Sequence, residues 1–419
     1  MAVLERVQQQ YEVLPYPHRD PERELEQLRQ PMVCELNRVN SLLWAGRRRF
    51  DATFSVLDAG CGTGDNTMFL GEQLRGTGAR IVSLDFSAAS LAIARRRAEV
   101  RGIEGVTFVQ AAIEDAPSLD LGEFDFIVCS GVLHHLASPE AGLQALRSML
   151  KPDGGLAMMV YATYGREPVY LMQSLMRRLA PAHLGPERRL AILRQTLASL
   201  PAESRTRRGL MEHEGFRGEI TQSDAGAYDL LLHTQDRSYT VPELHDWTGD
   251  AGMRVLEWSV PRAYEPATYL ARVEVPVEAG APDAVAELMH GGMTKHECFV
   301  ERDDAPARER LAAEDRSAVP AWCSWGFSEQ VKQVLGNAGN EFRCTFGLER
   351  DVVVQADALA RHFMGAIDGT RTVGEILDAA GARWSALKPA SIARRWVEFS
   401  EAFRAVAALA FLGAPVQRP

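Results

Sequence analysis

The chain has 419 residues, 46% hydrophobic and 24% charged, with 46 basic against 56 acidic side chains and a formal net charge of -10. That composition excludes a disordered, collagenous or coiled-coil chain, and the negative balance argues against broad attraction to duplex DNA or an anionic membrane surface. The length allows two domains, or one large domain with a lobe. The six cysteines (Cys34, Cys61, Cys129, Cys298, Cys323, Cys344) show neither CxxC spacing nor a dense pairing pattern. They read as reduced thiols of a cytoplasmic protein. No stretch has the length and apolarity of a membrane span or a signal core.

Residues 1–50 read as an N-terminal cap. Pro15, Pro17 and Pro21 make residues 11–21 a stiff extended segment in which no regular helix is expected, and residues 21–49 have room for a helix or two. From Phe54 short apolar runs alternate with amphipathic stretches. Strands are expected at 54–58, 81–85, 106–110, 124–130 and 155–161, and helices at 65–74, 87–101 and 139–150. This alternation calls for a Rossmann-like α/β fold, a parallel sheet with right-handed crossovers. Residues 168–227 are rich in Leu, Ala and Arg without a strand-like run, so a helical insertion is expected at about 166–228. Thr240, Pro242 and Glu243 spell a helix start; further strands follow at 253–260 and 295–302. The charged, Ala/Pro-rich stretch 303–320 is the best linker, placed at 306–320, and residues 321–419 should form a small α+β module.

The segment Val56-Leu-Asp-Ala-Gly-Cys-Gly-Thr-Gly-Asp-Asn-Thr67 joins the first strand to the first helix. Glycines at 60, 62 and 64 leave no Cβ on a tight loop, so a ligand can lie against the backbone beside a helix N-terminus. A dinucleotide loop would read GxGxxG. Here the third glycine comes one place early and Asp65 and Asn66 follow, which suits a ligand amino group better than a pyrophosphate. Asp85 ends the second strand 21 residues after Gly64, where a carboxylate can accept ribose hydroxyls. A ribose reader beside an amino-acid reader describes S-adenosylmethionine.

Over residues 50 to 165 the sequence resembles the class I S-adenosylmethionine-dependent methyltransferases. The resemblance is carried by Leu57-Asp-Ala-Gly-Cys-Gly-Thr-Gly64, Leu84-Asp-Phe-Ser87, Phe124-Asp-Phe-Ile-Val-Cys-Ser-Gly-Val-Leu-His-His-Leu136 and Leu150-Lys-Pro-Asp-Gly-Gly155. The Tyr-x-x-x-Pro-Tyr-Pro element (Tyr11 to Pro17) and Asp-Gly-Thr-Arg-Thr at 368–372 are similar to parts of bacterial members that carry a C-terminal regulatory-type, winged-helix-like domain. The resemblance implies a cap (1–50), a methyltransferase domain (51–305) and a winged-helix-like regulatory or dimerisation domain (321–419). It implies that Asp58 and the backbone of Gly60, Cys61, Gly62 and Gly64, with Asn66 beside them, hold the methionine moiety. Asp85 would hold the ribose, Phe86 flank the adenine, and Ser130 and Gly131 line the methionine end. One departure matters: the family commonly has an adenine-binding Asp where this chain has Ala112, which leaves the Ile113 backbone, Glu114 or Asp115 for that contact.

Methyl transfer needs an aligned nucleophile, a dry site and sometimes a base. His134 and His135 sit at the carboxyl end of the fourth strand, and since neighbours face opposite ways, one at most points into the site; His135 is preferred. The competing reading is that the pair caps the strand. Asp229 and His233 share one face if their segment is helical, where a carboxylate orienting an imidazole would make a base; a surface pair is the alternative. Tyr11 and Tyr16 could fold over a sulfonium or pack the stiff N-terminus onto the core, and Tyr161 and Tyr164 present the same choice. His290, His296 and Cys298 have no fourth ligand at usable spacing, so no metal is expected. Arg205-Thr-Arg-Arg208 reads as a solvated helix end, the alternative being a cluster that attracts an acidic substrate. The reading is S-adenosylmethionine-dependent methyl transfer to a small-molecule acceptor, with no nucleic-acid or membrane partner, the C-terminal module covering the acceptor or assembling a homodimer. A protein or peptide acceptor, and a cofactor-binding regulator without catalysis, are the rivals.

Overall fold

The computed structural model describes residues 3–270, 281–323, 341–344 and 352–416. Five parallel strands, β1 (Ser55–Ala59), β2 (Arg80–Asp85), β3 (Val106–Gln110), β4 (Phe124–Ser130) and β5 (Leu150–Ala162), lie in the order β3-β2-β1-β4-β5. The short β6 (Ser238–Tyr239) pairs parallel with β5. Beyond β5 the sheet is closed by β8 (Lys295–Arg302) and then β7 (Met253–Trp258), with β8 antiparallel to both neighbours. β1 has β2 on one side and β4 on the other, so the strand order reverses there. A crevice at the carboxyl ends of these strands is where ligands of open α/β sheets bind.

Strands β1 and β4 are apolar on both faces because both are covered. Val56, Phe126 and Val128 pack with Leu36, Leu43 and Phe69 on one side. Their neighbours Leu57, Ile127 and Cys129 pack with Leu133, Leu143 and Trp247 on the other, the two-residue alternation that a strand imposes.

In the N-terminal region, α1 (Val3–Val13) runs through Tyr11 and stops two residues before Pro15, so the proline constraint acts three residues later than the sequence suggested. α2 (Leu36–Trp44) completes the cap. The helices between strands are α3 (Asp65–Gln73), α4 (Ala88–Arg101) and α5 (Pro139–Ser148); Ser87 and Ser138 cap the last two through their hydroxyls. The insertion is helical: α6 (Glu167–Leu179), α7 (Pro186–Ser199), α8 (Arg205–Glu212), α9 (Glu214–Gln222) and α10 (Asp224–Leu232). These pack their own cluster around Met172, Leu193, Phe216 and Leu231, against which Leu14 of the cap is seated. Then α11 (Val241–Asp250) starts with the capping box read from Thr240 and Glu243, and α12 (Pro282–His290) precedes β8.

Residues 303–318 carry no regular element, yet Arg310 bonds Glu257 at 2.5 Å and Arg308 pairs with Glu301. β9 (Val319–Trp322) begins within the stretch read as a linker and pairs antiparallel with β12 (Leu409–Leu412). β10 (Glu341–Cys344) pairs with β11 (Val352–Gln355). α13 (Ala358–Ala366), α14 (Val373–Arg383) and α15 (Pro389–Arg404) surround a core of Phe363, Trp396, Phe399 and Phe403. Five cysteines are free and buried; the side chain of Cys344 lies outside the described residues. No helix among the described residues is long and apolar enough to cross a membrane.

Candidate active site

After β1 the chain turns through Gly60, Gly62 and Gly64 at φ of 74°, 51° and 96°, left-handed values that glycine alone adopts at little cost. The space beside them belongs to the protein itself. A Cβ on Gly60 would lie 2.5 Å from Val132 Cγ2, one on Gly62 2.7 Å from the Tyr16 carbonyl oxygen, and one on Gly64 3.0 Å from Ala94 Cβ. The sequence suggested that the missing Cβ atoms make room for a ligand; the structure uses them for close packing of its own chain.

Asp85 receives that loop. Its Oδ2 accepts the Gly62 N–H at 2.8 Å and its Oδ1 the Ser87 N–H at 2.9 Å. Burial pushes the carboxyl up to about 6. Each oxygen keeps a second lone pair for a ligand hydroxyl. Asp58 sits deeper. It is fully buried, its Oδ1 accepts the Asn66 amide at 3.2 Å and its Oδ2 the Thr67 hydroxyl at 2.7 Å. Asp58 and Gly64 lie outside the cavity lining, so Asp58 braces the loop from below and does not present its carboxylate to a ligand. Asp65 is engaged as well: Arg19 Nε at 2.9 Å, Arg19 Nη2 at 2.5 Å and Arg97 Nη1 at 2.9 Å donate to it. Burial favours its neutral form, but the two arginines outweigh that and hold the carboxyl below the usual range. It therefore locks the cap to the loop, and is not free for a ligand ammonium.

A single cavity of about 1050 Å³ runs from this loop to the insertion. At the loop end it is lined by Gly60, Cys61, Gly62, Asn66, Asp85, Phe86, Ala112, Ile113, Glu114, Ser130 and Gly131. Of the alternatives left open for the adenine contact, Glu114 lines the cavity and Asp115 does not, and Glu114 Oε2 is buried without a donor. The other end is lined by Tyr11, Tyr16, His135, Tyr161, Arg166, Glu219 and Asp229. The Tyr11 hydroxyl donates to Asp229 Oδ1 at 2.8 Å and the Tyr16 hydroxyl to Glu219 Oε1 at 2.9 Å. These two bonds tie the cap to the insertion. Burial first, and then the Asp229 charge, push both phenols well above their ordinary value.

The histidines separate by their hydrogen bonds. His135 Nδ1 lies 2.8 Å from the Gln235 carbonyl oxygen. A carbonyl only accepts, so this nitrogen carries the hydrogen, and in the neutral ring Nε2 keeps the lone pair. His233 is the reverse: its Nδ1 accepts the Gln235 N–H at 3.1 Å, so the neutral ring carries hydrogen on Nε2, which meets the Tyr11 oxygen at 3.3 Å. Burial holds His233 neutral, well below its usual pKa. His233 thus orients Tyr11 and lies outside the cavity lining. His135, Asp229 and His233 place one potential ligand atom each within 4.8 Å of one another, but the hydrogen on His233 Nε2 occupies the nitrogen a metal would need. His134 is fully buried beside Tyr161, with ring centroids 3.9 Å apart, and neither ring nitrogen has a partner. It packs and does not reach the cavity. His296 is buried between Tyr264 at 2.9 Å and Glu287 at 3.1 Å, Tyr164 is exposed, and Arg205 and Arg208 pair with Glu167 and Glu212 on the surface.

Arg166, Glu219 and Arg19 line the cavity and were not singled out from the sequence. Only Arg19 had a local signal, its place just after the Tyr-x-x-x-Pro-Tyr-Pro element.

A family model described as "Methyltransferase domain" matches residues 50–189, the stretch that holds β1 to β5 and every loop-end residue named above. Residues 50–189 are a class I methyltransferase domain. An uncharacterized protein of Synechococcus sp. is 38% identical over half of this chain and half of its own length. The ubiquinone biosynthesis O-methyltransferase of Cronobacter sakazakii is 35% identical over 24% of this chain and 39% of that protein. The chain thus spans at most about half the length of these relatives. In fold, PKMT2 from Rickettsia typhi is similar over 92% of this chain and 77% of its own, at a TM-score of 0.64 and 14% identity.

The cofactor of the methyltransferase domain is S-adenosylmethionine, and the residues present fit it. The domain offers a strand-tip carboxylate with lone pairs to spare at Asp85, the Phe86 ring beside it, and an acceptor without a donor at Glu114 Oε2.

Proposed function

We propose that this chain transfers a methyl group from S-adenosylmethionine to a small-molecule acceptor held between the cap and the insertion. The observation that carries the reading is the continuity of one cavity from Asp85 to His135 and Asp229. Its volume of about 1050 Å³ lies just above the ~300–1,000 Å³ span of small-molecule sites, which suits a nucleoside and a second ligand together. The Tyr11–Asp229 and Tyr16–Glu219 bonds tie the cap to the insertion along the wall of this acceptor end.

Asp85 would hold the ribose, Glu114 the adenine amino group and Phe86 the adenine face, while Ser130, Gly131 and Cys61 border the methionine end. When bound, the cofactor supplies an electrophilic methyl on a sulfonium. His135, its ring fixed by the Gln235 carbonyl, is the residue placed to take the acceptor's proton at Nε2. Asp229, held by Tyr11, stands beside it, with a carboxylate oxygen within 4.8 Å of a His135 ring nitrogen. Burial raises the Asp229 carboxyl itself, with the His135 charge opposing that rise.

The test is to incubate the full chain with methyl-labelled S-adenosylmethionine and a cell extract, then separate products by size. Label in the small-molecule fraction that vanishes in Asp85→Ala and His135→Ala supports the reading. Label confined to protein points to a macromolecular acceptor, and cofactor binding with no label in any fraction points to a regulator.

A further inference from the structure

Arg166 is the residue ahead of α6 and only 3% exposed, yet it lines the acceptor end of the cavity. Its guanidinium carbon stands 3.4 Å from the centre of the Tyr161 ring, a cation over a ring face. Its ion partner, Asp236, is 3.5 Å away and already accepts the Gln173 amide at 2.9 Å. Nη2 is the nitrogen that faces Asp236 and Tyr170 lies beside the group, yet neither Nε nor Nη2 makes a hydrogen bond. An arginine does not shed its charge, and a buried polar group left unmet in a native structure calls for a missing partner.

The chamber's acidic groups differ. Asp229 and Glu219 each already accept a phenol hydroxyl, from Tyr11 and Tyr16. No oxygen of either carboxylate is among the buried atoms without a partner, whereas Nε and Nη2 of Arg166 are, and a guanidinium fork is matched by a carboxylate. Tyr161, which carries Arg166 on its face, also meets the His135 ring at 5.5 Å between centroids. One small molecule touching Tyr161 can reach both groups.

We infer that the methyl acceptor carries a carboxylate that docks on Arg166. The inference rests on the proposed reading of this cavity as the acceptor site, and it concerns the acceptor's class only.

The experiment uses the full chain loaded with S-adenosylhomocysteine and saturation-transfer NMR with three probes of one shape: benzoate, benzamide and benzylamine. Benzoate should give a signal at least fivefold above the neutral and cationic probes. That excess should disappear in Arg166→Gln and survive in reduced form in Arg166→Lys. Equal signals, a stronger benzamide or benzylamine signal, no benzoate signal, or a benzoate signal unchanged in Arg166→Gln overturns the inference. Should Arg166→Gln not fold, the ranking of the probes on the unaltered chain and on Arg166→Lys decides. Binding of S-adenosylhomocysteine is titrated in the same samples. Its failure on the unaltered chain sinks the methyltransferase reading, whereas intact binding without a benzoate excess sinks the carboxylate dock alone.

Discussion

The Gly62 N–H donates to Asp85 Oδ2 at 2.8 Å, so the carboxylate proposed to grip the ribose also shapes the loop that borders the methionine end. Replacing Asp85 by Asn removes the negative charge and turns one acceptor into a donor that faces either the Gly62 or the Ser87 N–H. Affinity for S-adenosylhomocysteine should fall at least tenfold, measured by titration calorimetry.

The same carboxylate gives the binding a pH dependence whose sign can be worked out. Burial raises Asp85 to about 6, so in the free protein it becomes protonated as pH falls through that value. Ribose hydroxyls donate to the charged form. Affinity should be level above pH 7 and decline below 6, approaching tenfold per pH unit. Asp58 also titrates near 6, but it does not line the cavity. Asp85→Asn should therefore flatten the profile; a slope that persists in this variant would assign the effect to Asp58 or to another group.

Gly62 combines a φ of 51° with a Cβ position 2.7 Å from the Tyr16 carbonyl. Gly62→Ala meets two penalties: left-handed backbone costs about 1–2 kcal/mol, and the cap must shift away. The midpoint of urea unfolding should drop, and S-adenosylhomocysteine should bind more weakly even though no ligand contact of a side chain is removed. An unchanged midpoint would show that the cap does not sit on the loop.

The loop end of the site was legible in the sequence because its determinants are local. Positive φ leaves glycines at Gly60, Gly62 and Gly64, and a strand tip places Asp85. The reason for those glycines was not legible, since Val132, Tyr16 and Ala94 approach them from elsewhere in the chain. The acceptor end is built almost wholly from distant pairs. Tyr16 meets Glu219 across 203 positions and Tyr11 meets His233 across 222, and no periodicity records such a meeting. His134 and His135 could be ranked only by strand alternation. What separates His135 from His233 is one backbone unit, Gln235, whose carbonyl fixes the first ring and whose N–H fixes the second.

The cap is fastened to the loop by the Thr63 hydroxyl, which donates to the Pro17 carbonyl at 2.7 Å, and by Arg19 on Asp65. Arg19→Ala removes one fastening while Arg97 continues to neutralise Asp65. The fold should hold, but the cap should lift more often. Release of bound S-adenosylhomocysteine should quicken about fivefold in a displacement experiment. An unchanged release rate would mean that the cofactor leaves by a route that does not involve the cap.

The three histidines give the most discriminating set of variants. His135→Asn keeps a polar side chain but removes the nitrogen proposed as the base. Turnover should fall at least a hundredfold, in line with the ~10²–10⁴-fold contribution of general bases, with S-adenosylhomocysteine affinity within twofold of the unaltered chain. His233→Gln loses the ring whose Nε2–H meets the Tyr11 oxygen. It should lower turnover by about tenfold without changing the shape of the pH–rate curve, because that ring is held neutral by burial and does not titrate in the working range. His134→Phe replaces a fully buried ring whose two nitrogens have no partners. Removing unmet polar atoms offsets the extra volume, so stability should change by no more than about 1 kcal/mol and turnover should be retained. Turnover lost in His134→Phe but kept in His135→Asn would reverse the assignment, and would require the turn Leu133–His135 that follows β4 to present its side chains differently once the cofactor is bound.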